Sequence, residues 1–422
     1  MAANSLIEVW AFGIEIGKLG YDADQRKCYF QYHPAFFDSW PYPKMFPFIF
    51  RRIKSVQVFT EYEGETFKGL PPMIADSLPD MFGNIIFKEW FEANNKGFDK
   101  ITPLEQLAYA ANRGMGALEY RPIIEIPKTA TINIDEVVTV VQKVLDIKKS
   151  TVEKNLSHPA LLNIFKIGSS AGGARPKILI SEHTETKNII PGDIEYSSEY
   201  DHWLVKLCLD ENEGYNKEKV EYAYYQLTQK AGIHMMYSKL IEDRHFATMR
   251  YDRQNGDKQH VLTASGLIGW DFMKPENGSY ENLFKLALGL QTPYKDLHEL
   301  FRRMVFNSVF SNYDDHLKNH SFIYNKENDS WNLGPAYDIT YPFNLKLNYL
   351  KKSRALSING KRTNIVLDDL LAIADAFSIK NPKGIIREVQ DVIPEWRTIG
   401  QNLSVPEFVI EAIQKEFQTY KL

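Results

Sequence analysis

Cysteine is almost missing from this chain, with only Cys28 and Cys208 among 422 residues. Two thiols cannot build a disulfide framework or a multi-cysteine zinc site. Long hydrophobic runs are also lacking. No window approaches the roughly 18 consecutive apolar residues of a membrane-spanning helix. The first residues, Met1 to Glu8, show no basic segment followed by an apolar stretch, so no secretory signal is expected and a cytoplasmic location is read. Neither sign of charge dominates. Fifty Lys and Arg face 54 Asp and Glu, a formal net charge of −4, which argues against a wholesale nucleic-acid coat. Twenty Pro and 24 Gly are too few for a collagen-like or globally disordered chain, and no internal repeat is present.

What is there suffices for real cores: 44% hydrophobic and 13% aromatic residues. At roughly 100–200 residues per domain, the length predicts two or three domains. The first hundred residues are aromatic and rich in turns, with strand-like runs at Leu6–Gly13 and Ser55–Phe59. Helices are expected over Asn84–Asn94 and Pro103–Asn112. Thr129–Lys154 reads as a helical connector. Strands follow at Lys177–Ser181 and His202–Leu207, then a helix over Glu218–Ala231 and strand-like runs around Phe246–Tyr251. From Glu281 onward the pattern is helical, broken by a strand–turn–strand signal at Ser321–Tyr324 and Trp331–Leu333. The fold class is therefore α+β, with strands first and helices after. The expected division is an N-terminal domain over 1–128, a connector over 129–160 and a two-lobed domain over 161–422. The lobes of that last domain would meet near 255/256.

Four elements could carry chemistry. The first is Gly168-Ser-Ser-Ala-Gly-Gly-Ala-Arg-Pro-Lys177, whose small residues let backbone N–H groups approach an anion, with Lys177 adding charge. It is not a Walker loop, because Ala174 follows Gly173 where that loop needs Lys. By itself such a segment is more often an ordinary turn. The second is Asn312-Tyr-Asp-Asp-His-Leu-Lys-Asn319, which follows a helix marked by Leu300, Phe301, Met304, Val305 and Val309. Asp314 and Asn319 have the spacing of a base and a metal-binding amide in phosphoryl-transfer loops. A polar helix end followed by a turn is the plainer reading, and a zinc site lacks other ligands nearby. The third is Asp338, delivered behind the hairpin signal as a second metal ligand or a simple turn opener. The fourth is Lys206, on a strand among apolar neighbours, where burial calls for an anion such as Glu221 or a phosphate. Their linear order is that of a kinase, and it is far more specific than any one of them.

At these residues the chain resembles the HipA family of bacterial toxin-type serine/threonine kinases. Gly69-Leu-Pro-Pro, Asp76-Ser-Leu-Pro-Asp80 and Gly83 resemble the family's N-terminal domain, and Ser170–Lys177 its phosphate loop. Met249–Arg253 resembles its hinge, Asn312–Phe322 its catalytic loop and Ala336-Tyr-Asp338 its metal motif. Leu356–Lys361 is similar to a further family segment. The resemblance implies a kinase-like two-lobed fold, ATP and Mg²⁺ as cofactors, and Asp314 as catalytic base. It implies that Asn319 and Asp338 hold the metal and that Lys206 contacts the nucleotide phosphates, with Glu221 as the partner of that lysine. His316 would orient Asp314 or the γ-phosphate, and Lys318 belongs to the same catalytic set. Ser169, Ser170, Ala171, Gly172, Gly173, Ala174 and Lys177 would cradle the nucleotide, with Met249 and Tyr251 flanking the adenine. Met249 departs from the acidic residue of some relatives. Ser170, beside Ser169, aligns with the serine that family members autophosphorylate; a dianionic phosphate there could not share a pocket built for ATP phosphates.

The implied partners are an aminoacyl-tRNA synthetase of the glutamyl type as substrate, a helix-turn-helix antitoxin, and operator DNA bound through that complex. Residues 345–362 hold Lys346, Lys351, Lys352, Arg354, Lys361 and Arg362 without an acid, read either as a solvated loop or as a docking surface. Asp314-x-His316 also keeps open a small-molecule phosphotransferase of the aminoglycoside- or choline-kinase type. A catalytically idle, DNA-associated corepressor is the rival from another class.

Overall fold

The computed structural model describes residues 6–79, 81–93, 97, 101–123, 133–147, 175–192, 197–209, 214–342 and 352–422. The chain divides into two units, Met1–Leu209 with Ala247–Val261, and Asp210–Phe246 with Leu262–Leu422. The sequence-based boundaries at 128/129 and 160/161 fall outside the described residues. Both cysteines are buried and unbridged. No helix among the described residues is long and apolar enough to cross a membrane.

The first unit opens with an antiparallel sheet. Its strands are β1 (Ile7–Ala11), β2 (Ile14–Asp22), β3 (Lys27–Tyr32), β4 (Gln57–Phe59) and β5 (Glu119–Arg121), in the order β4-β3-β2-β1-β5. Alternation dictates β1: Ile7, Val9 and Ala11 are buried while Glu8 and Trp10 face outward. The tight turn between β1 and β2 places Phe12 and Gly13 at φ 52° and 75°, the positive angles that match strand twist in a two-residue hairpin. Gly69 begins the Gly-Leu-Pro-Pro run for a steric reason. Its φ is +81°, and a Cβ there would lie 2.4 Å from the Arg26 carbonyl oxygen.

Two expected helices form, at Met81–Ala93 and Pro103–Ala110. The second starts at a capping box in which Thr102 and Glu105 bond each other's backbone N–H, and it ends where Ala111 turns to φ 50°. The connector is helical over Ile134–Ile147. Farther along come β6 (Lys177–His183), β7 (Ile189–Pro191) and β8 (Tyr200–Lys206). β9 (Ser238–Ile241) lies in the second unit, and β10 (His245–Met249) brings the chain back. In the first unit the order is β7-β6-β8-β10. Two short strands, β11 (Arg253–Gln254) and β12 (Asp257–Lys258), pair next.

The second unit is mainly helical. Lys217–Lys230 begins at Asn216, whose side chain accepts from the Lys219 N–H. The helix Tyr294–Val309 buries Leu297, Leu300, Phe301, Met304, Val305 and Val309 at helical spacing, as its sequence requires. Tyr224 donates to the Phe310 carbonyl, and the Trp396 indole N–H donates to the Ile410 carbonyl, each 0% exposed. β13 (His260–Thr263) precedes the helix Ala264–Ile268, and a hairpin of β14 (Ser321–Asn325) and β15 (Ser330–Leu333) breaks the helical run where the sequence signalled it. Asp296 accepts from the Leu333 N–H at 2.8 Å, fastening the hairpin to the long helix.

Candidate active site

The loop carrying Asp314 starts where the helix Tyr294–Val309 runs out. Ser311 takes φ 56°, and the Asn312 N–H returns to the Asn307 carbonyl at 3.0 Å. Residues 317–319 close the loop with one 3₁₀ turn. Asn319 donates its side-chain amide to the Asp314 carbonyl at 2.7 Å, so the two residues chosen for their spacing are held together. With its nitrogen so used, the amide oxygen of Asn319 is the atom left to face a cation. The Asp314 carboxylate is 64% exposed, as a group that must meet an acceptor should be, and His316 Nε2 lies 3.9 Å from its Oδ1. That gap exceeds a hydrogen bond, so the pair attracts only when the imidazole is protonated.

Asp338 stands on a tight backbone turn with φ 57°, a left-handed conformation that Asp adopts more readily than most residues. The preceding Tyr337 donates its hydroxyl to the Lys318 carbonyl at 2.6 Å, and Ala336 bonds back to the His234 carbonyl. The Asp338 turn is thereby tied to the loop that holds Asn319. Among the described residues no three His, Cys, Asp or Glu side chains gather as a metal cage. Mg²⁺ on a phosphorylated ligand needs only one or two protein oxygens, and Asn319 and Asp338 each carry a side-chain oxygen of the kind it takes.

Immediately behind Asp314 lies a buried charge that the sequence did not signal. Asp315 is 1% exposed and accepts from Arg354 Nη2 and from the Tyr280 hydroxyl, both at 2.8 Å, and from the Leu356 N–H at 3.2 Å. Arg354 spends its other donors on the carbonyls of Asn307 and Asn312. This network fixes the backbone on both flanks of the loop's first half. His320, also buried, is pushed down to about 4 by that burial and is neutral. In the described part of the acid-free stretch, residues 352–362, the cations meet acids and carbonyls of the fold. Arg354 is internal, Lys352 pairs with Glu416, Lys361 pairs with Asp369, and Arg362 donates to the Arg354 and Gly278 carbonyls. Lys346 and Lys351 fall outside the described residues.

In the first unit, Lys177 and Lys206 are register partners on adjacent antiparallel strands, and each is 4% exposed. Like charges directly opposite one another are unfavourable in a sheet, so two buried lysines at this register make the local field strongly positive. Met249 ends β10, and Tyr251 is buried just after it. Arg250 returns to β8 through its N–H to the His202 carbonyl at 2.8 Å. Asp252, wholly buried, accepts from Arg250, from Arg253 and from the Gly116 N–H. Burial opposes its ionisation, yet the two guanidiniums and these hydrogen bonds hold its carboxyl well below the usual range. His202, bonded through Nδ1 to the Ser181 hydroxyl, is pushed down to about 4 by burial and by the two arginines. Glu221 is fully buried in the second unit on the helix Lys217–Lys230. Ser169, Ser170, Ala171, Gly172, Gly173 and Ala174 lie outside the described residues.

Comparison with known proteins finds two family domains along the chain. The HipA N-terminal domain family matches residues 7–121, and the HipA-like C-terminal domain family matches residues 169–396. A curated relative from Sinorhizobium fredii, named putative kinase Y4dM, is 24% identical over 245 residues, covering 52% of this chain and 58% of that relative's length. Among solved structures, HipA of the Shewanella oneidensis toxin–antitoxin complex with HipB and operator DNA superposes with a TM-score of 0.63 at 16% identity. That likeness covers 97% of this chain and 94% of that one. The Helicobacter pylori proinflammatory kinase CtkA gives 0.35 at 11% identity, over 56% of this chain and 90% of its own. The chain belongs to the HipA family, with its N-terminal and C-terminal domains in the family's order.

Proposed function

We propose that this chain is an ATP- and Mg²⁺-dependent protein serine/threonine kinase, the toxin half of a toxin–antitoxin pair. The observation that carries the reading is the joined loop: Asn319 bonded to Asp314, with the Asp338 turn fastened to the same loop through Tyr337. Asp314 accepts or orients the proton of the acceptor hydroxyl, for which its exposed carboxylate is suited. Lys206 and Lys177 receive phosphate charge, and the backbone at Met249 and Tyr251 serves the adenine. Asn319 and Asp338 supply the protein oxygens for Mg²⁺, which when bound neutralises charge on the transferring group. His316 and Lys318 complete the loop's charge pattern.

The family's behaviour supports a glutamyl-type aminoacyl-tRNA synthetase as substrate. It also supports silencing by phosphorylation at Ser170, with Ser169 as the neighbour to be tested. The Shewanella complex supports a HipB-type antitoxin and operator DNA as partners. The test is incubation with labelled ATP and Mg²⁺, followed by phosphosite mapping on this protein and on purified synthetases. Label on a synthetase serine or threonine, lost in Asp314→Asn and Asp338→Asn, is the expected result. No transfer to self or to any synthetase under conditions where ATP binds overturns the proposal. Transfer to a small cationic alcohol instead favours the phosphotransferase reading, which rests on Asp314-x-His316. Operator repression that survives both substitutions, with no transfer by the parent, favours the idle corepressor.

A further inference from the structure

Phe272 belongs to no motif, yet it touches two members of the Asp314 loop. Its ring lies 5.0 Å from the His316 imidazole, tilted by 52°, and the Lys318 ammonium stands 5.2 Å from its centroid. The segment bearing it is held in place. Ser265 donates to the Trp270 carbonyl at 2.7 Å, and Asp271 accepts from the Met273 N–H at 3.0 Å. Downstream, the Gly278 carbonyl takes the Ser357 N–H and Arg362, and a Cβ on Gly278 would come within 2.8 Å of the Ala355 oxygen.

We propose that Phe272 is a positioning residue for phosphoryl transfer, seating His316 and Lys318 against its ring beside Asp314. The inference rests on the kinase reading of Asp314. His316 Nε2 is 3.9 Å from the Asp314 carboxylate, about an ångström beyond hydrogen-bond reach. A small slide of the imidazole along the Phe272 ring decides whether the two groups join. Lys318 is held by the attraction of an ammonium for the ring's electron-rich face, which limits the rotamers of a long, flexible side chain. An apolar residue lacking the ring would take this shared contact away from both groups. Tyr or Trp would keep the face.

The experiment is a double-mutant cycle read by phosphoryl transfer. Phe272→Leu should lower kcat by about tenfold, the scale of one misplaced charged contact, with the ATP KM and melting temperature unchanged. Phe272→Tyr should restore kcat. Phe272→Leu added to the pair His316→Ala and Lys318→Ala should be little worse than that pair alone. Parental kcat in Phe272→Leu, failure of Tyr to rescue, or simple additivity with that pair overturns the proposal. A second readout separates it from the kinase reading. The ring of Phe272 should displace the His316 imidazole proton resonances in the parent, and Phe272→Leu should abolish that displacement. An inactive parent that shows the displacement refutes the Asp314 assignment while the seating stands. An inactive parent without it refutes both.

Discussion

Each unit contains a buried carboxylate held by arginine, Asp252 in the first and Asp315 in the second, and the two solve the same problem differently. In the first, Asp252 faces two guanidiniums, so positive charge is in excess, and Arg253 disposes of the surplus on the carbonyls of Gly114 and Gly116. In the second, Asp315 faces one guanidinium, and the remaining lone pairs go to neutral donors on Tyr280 and Leu356. The first knot joins the segment before β5 to the segment after β10. The second joins the Asp314 loop to the chain around residue 355. An excess of cations makes the carboxylate irreplaceable and each arginine partly expendable. A one-to-one pair makes both members equally necessary.

The sharpest way to break the comparison is Asp252→Asn, which leaves two buried guanidiniums without an anion. About 4 kcal/mol of stability should be lost, read as a shifted urea or thermal midpoint, whereas Arg250→Met should cost clearly less. A parental midpoint in Asp252→Asn would refute the role given to the knot. Next is Asp315→Asn or Arg354→Met, each expected to cost about 3 kcal/mol. The two should be equal, in contrast to the unequal pair in the first unit. Replacing both with Asp315→Leu and Arg354→Met should recover part of the stability without recovering phosphoryl transfer.

The histidines extend the contrast to pH. Burial pushes His260 down to about 3, beside the values near 4 for His202 in the same unit and His320 in the other. Each stays neutral while folded and takes up a proton when unfolded below its ordinary value of 6.5. Stability present above pH 6.5 should thus drain away as pH falls toward 4, by on the order of 2–3 kcal/mol per histidine. The first unit carries two of the three, and Asp252 adds a further loss at still lower pH. Between pH 6.5 and 4.5, hydrogen-exchange protection, corrected for the intrinsic exchange rate at each pH, should fall more in β8 than in the helix Tyr294–Val309. An equal fall would refute the assignment. The smallest effect expected is at a surface device: Thr102→Ala, removing the capping box, should lower the midpoint by about 1 kcal/mol and leave phosphoryl transfer alone.

How much of this was legible in the sequence follows from the range of the interactions. The helix that starts at Pro103, the apolar stripe from Leu300 to Val309 and the hairpin at Ser321–Leu333 are written within a few residues each. Asp314 and Asn319 were found the same way, because their bond closes across five positions. Asp315 and Arg354 are 39 residues apart, and nothing local marks either. Arg354 in fact sits in the acid-free stretch that reads as surface charge. The carbonyls and carboxylates it meets come from elsewhere in the chain, which a tally of nearby acids does not register. Lys177 and Lys206 were each visible as cations, but their opposition is a matter of strand register. Phe272 was illegible because an aromatic in a turn carries no pattern until its neighbours are known.

The left-handed backbone at Asp338 has an evolutionary consequence. Asparagine tolerates that conformation as readily as aspartate and fills the same volume, so the substitution places no strain on the turn. It nevertheless removes the charge that the proposed metal requires. One nucleotide change converts an Asp codon into an Asn codon. A lineage could therefore remove that charge in a single step while the backbone around residue 338 stays as it is. Inactive but intact copies are the kind of descendant that such a turn permits.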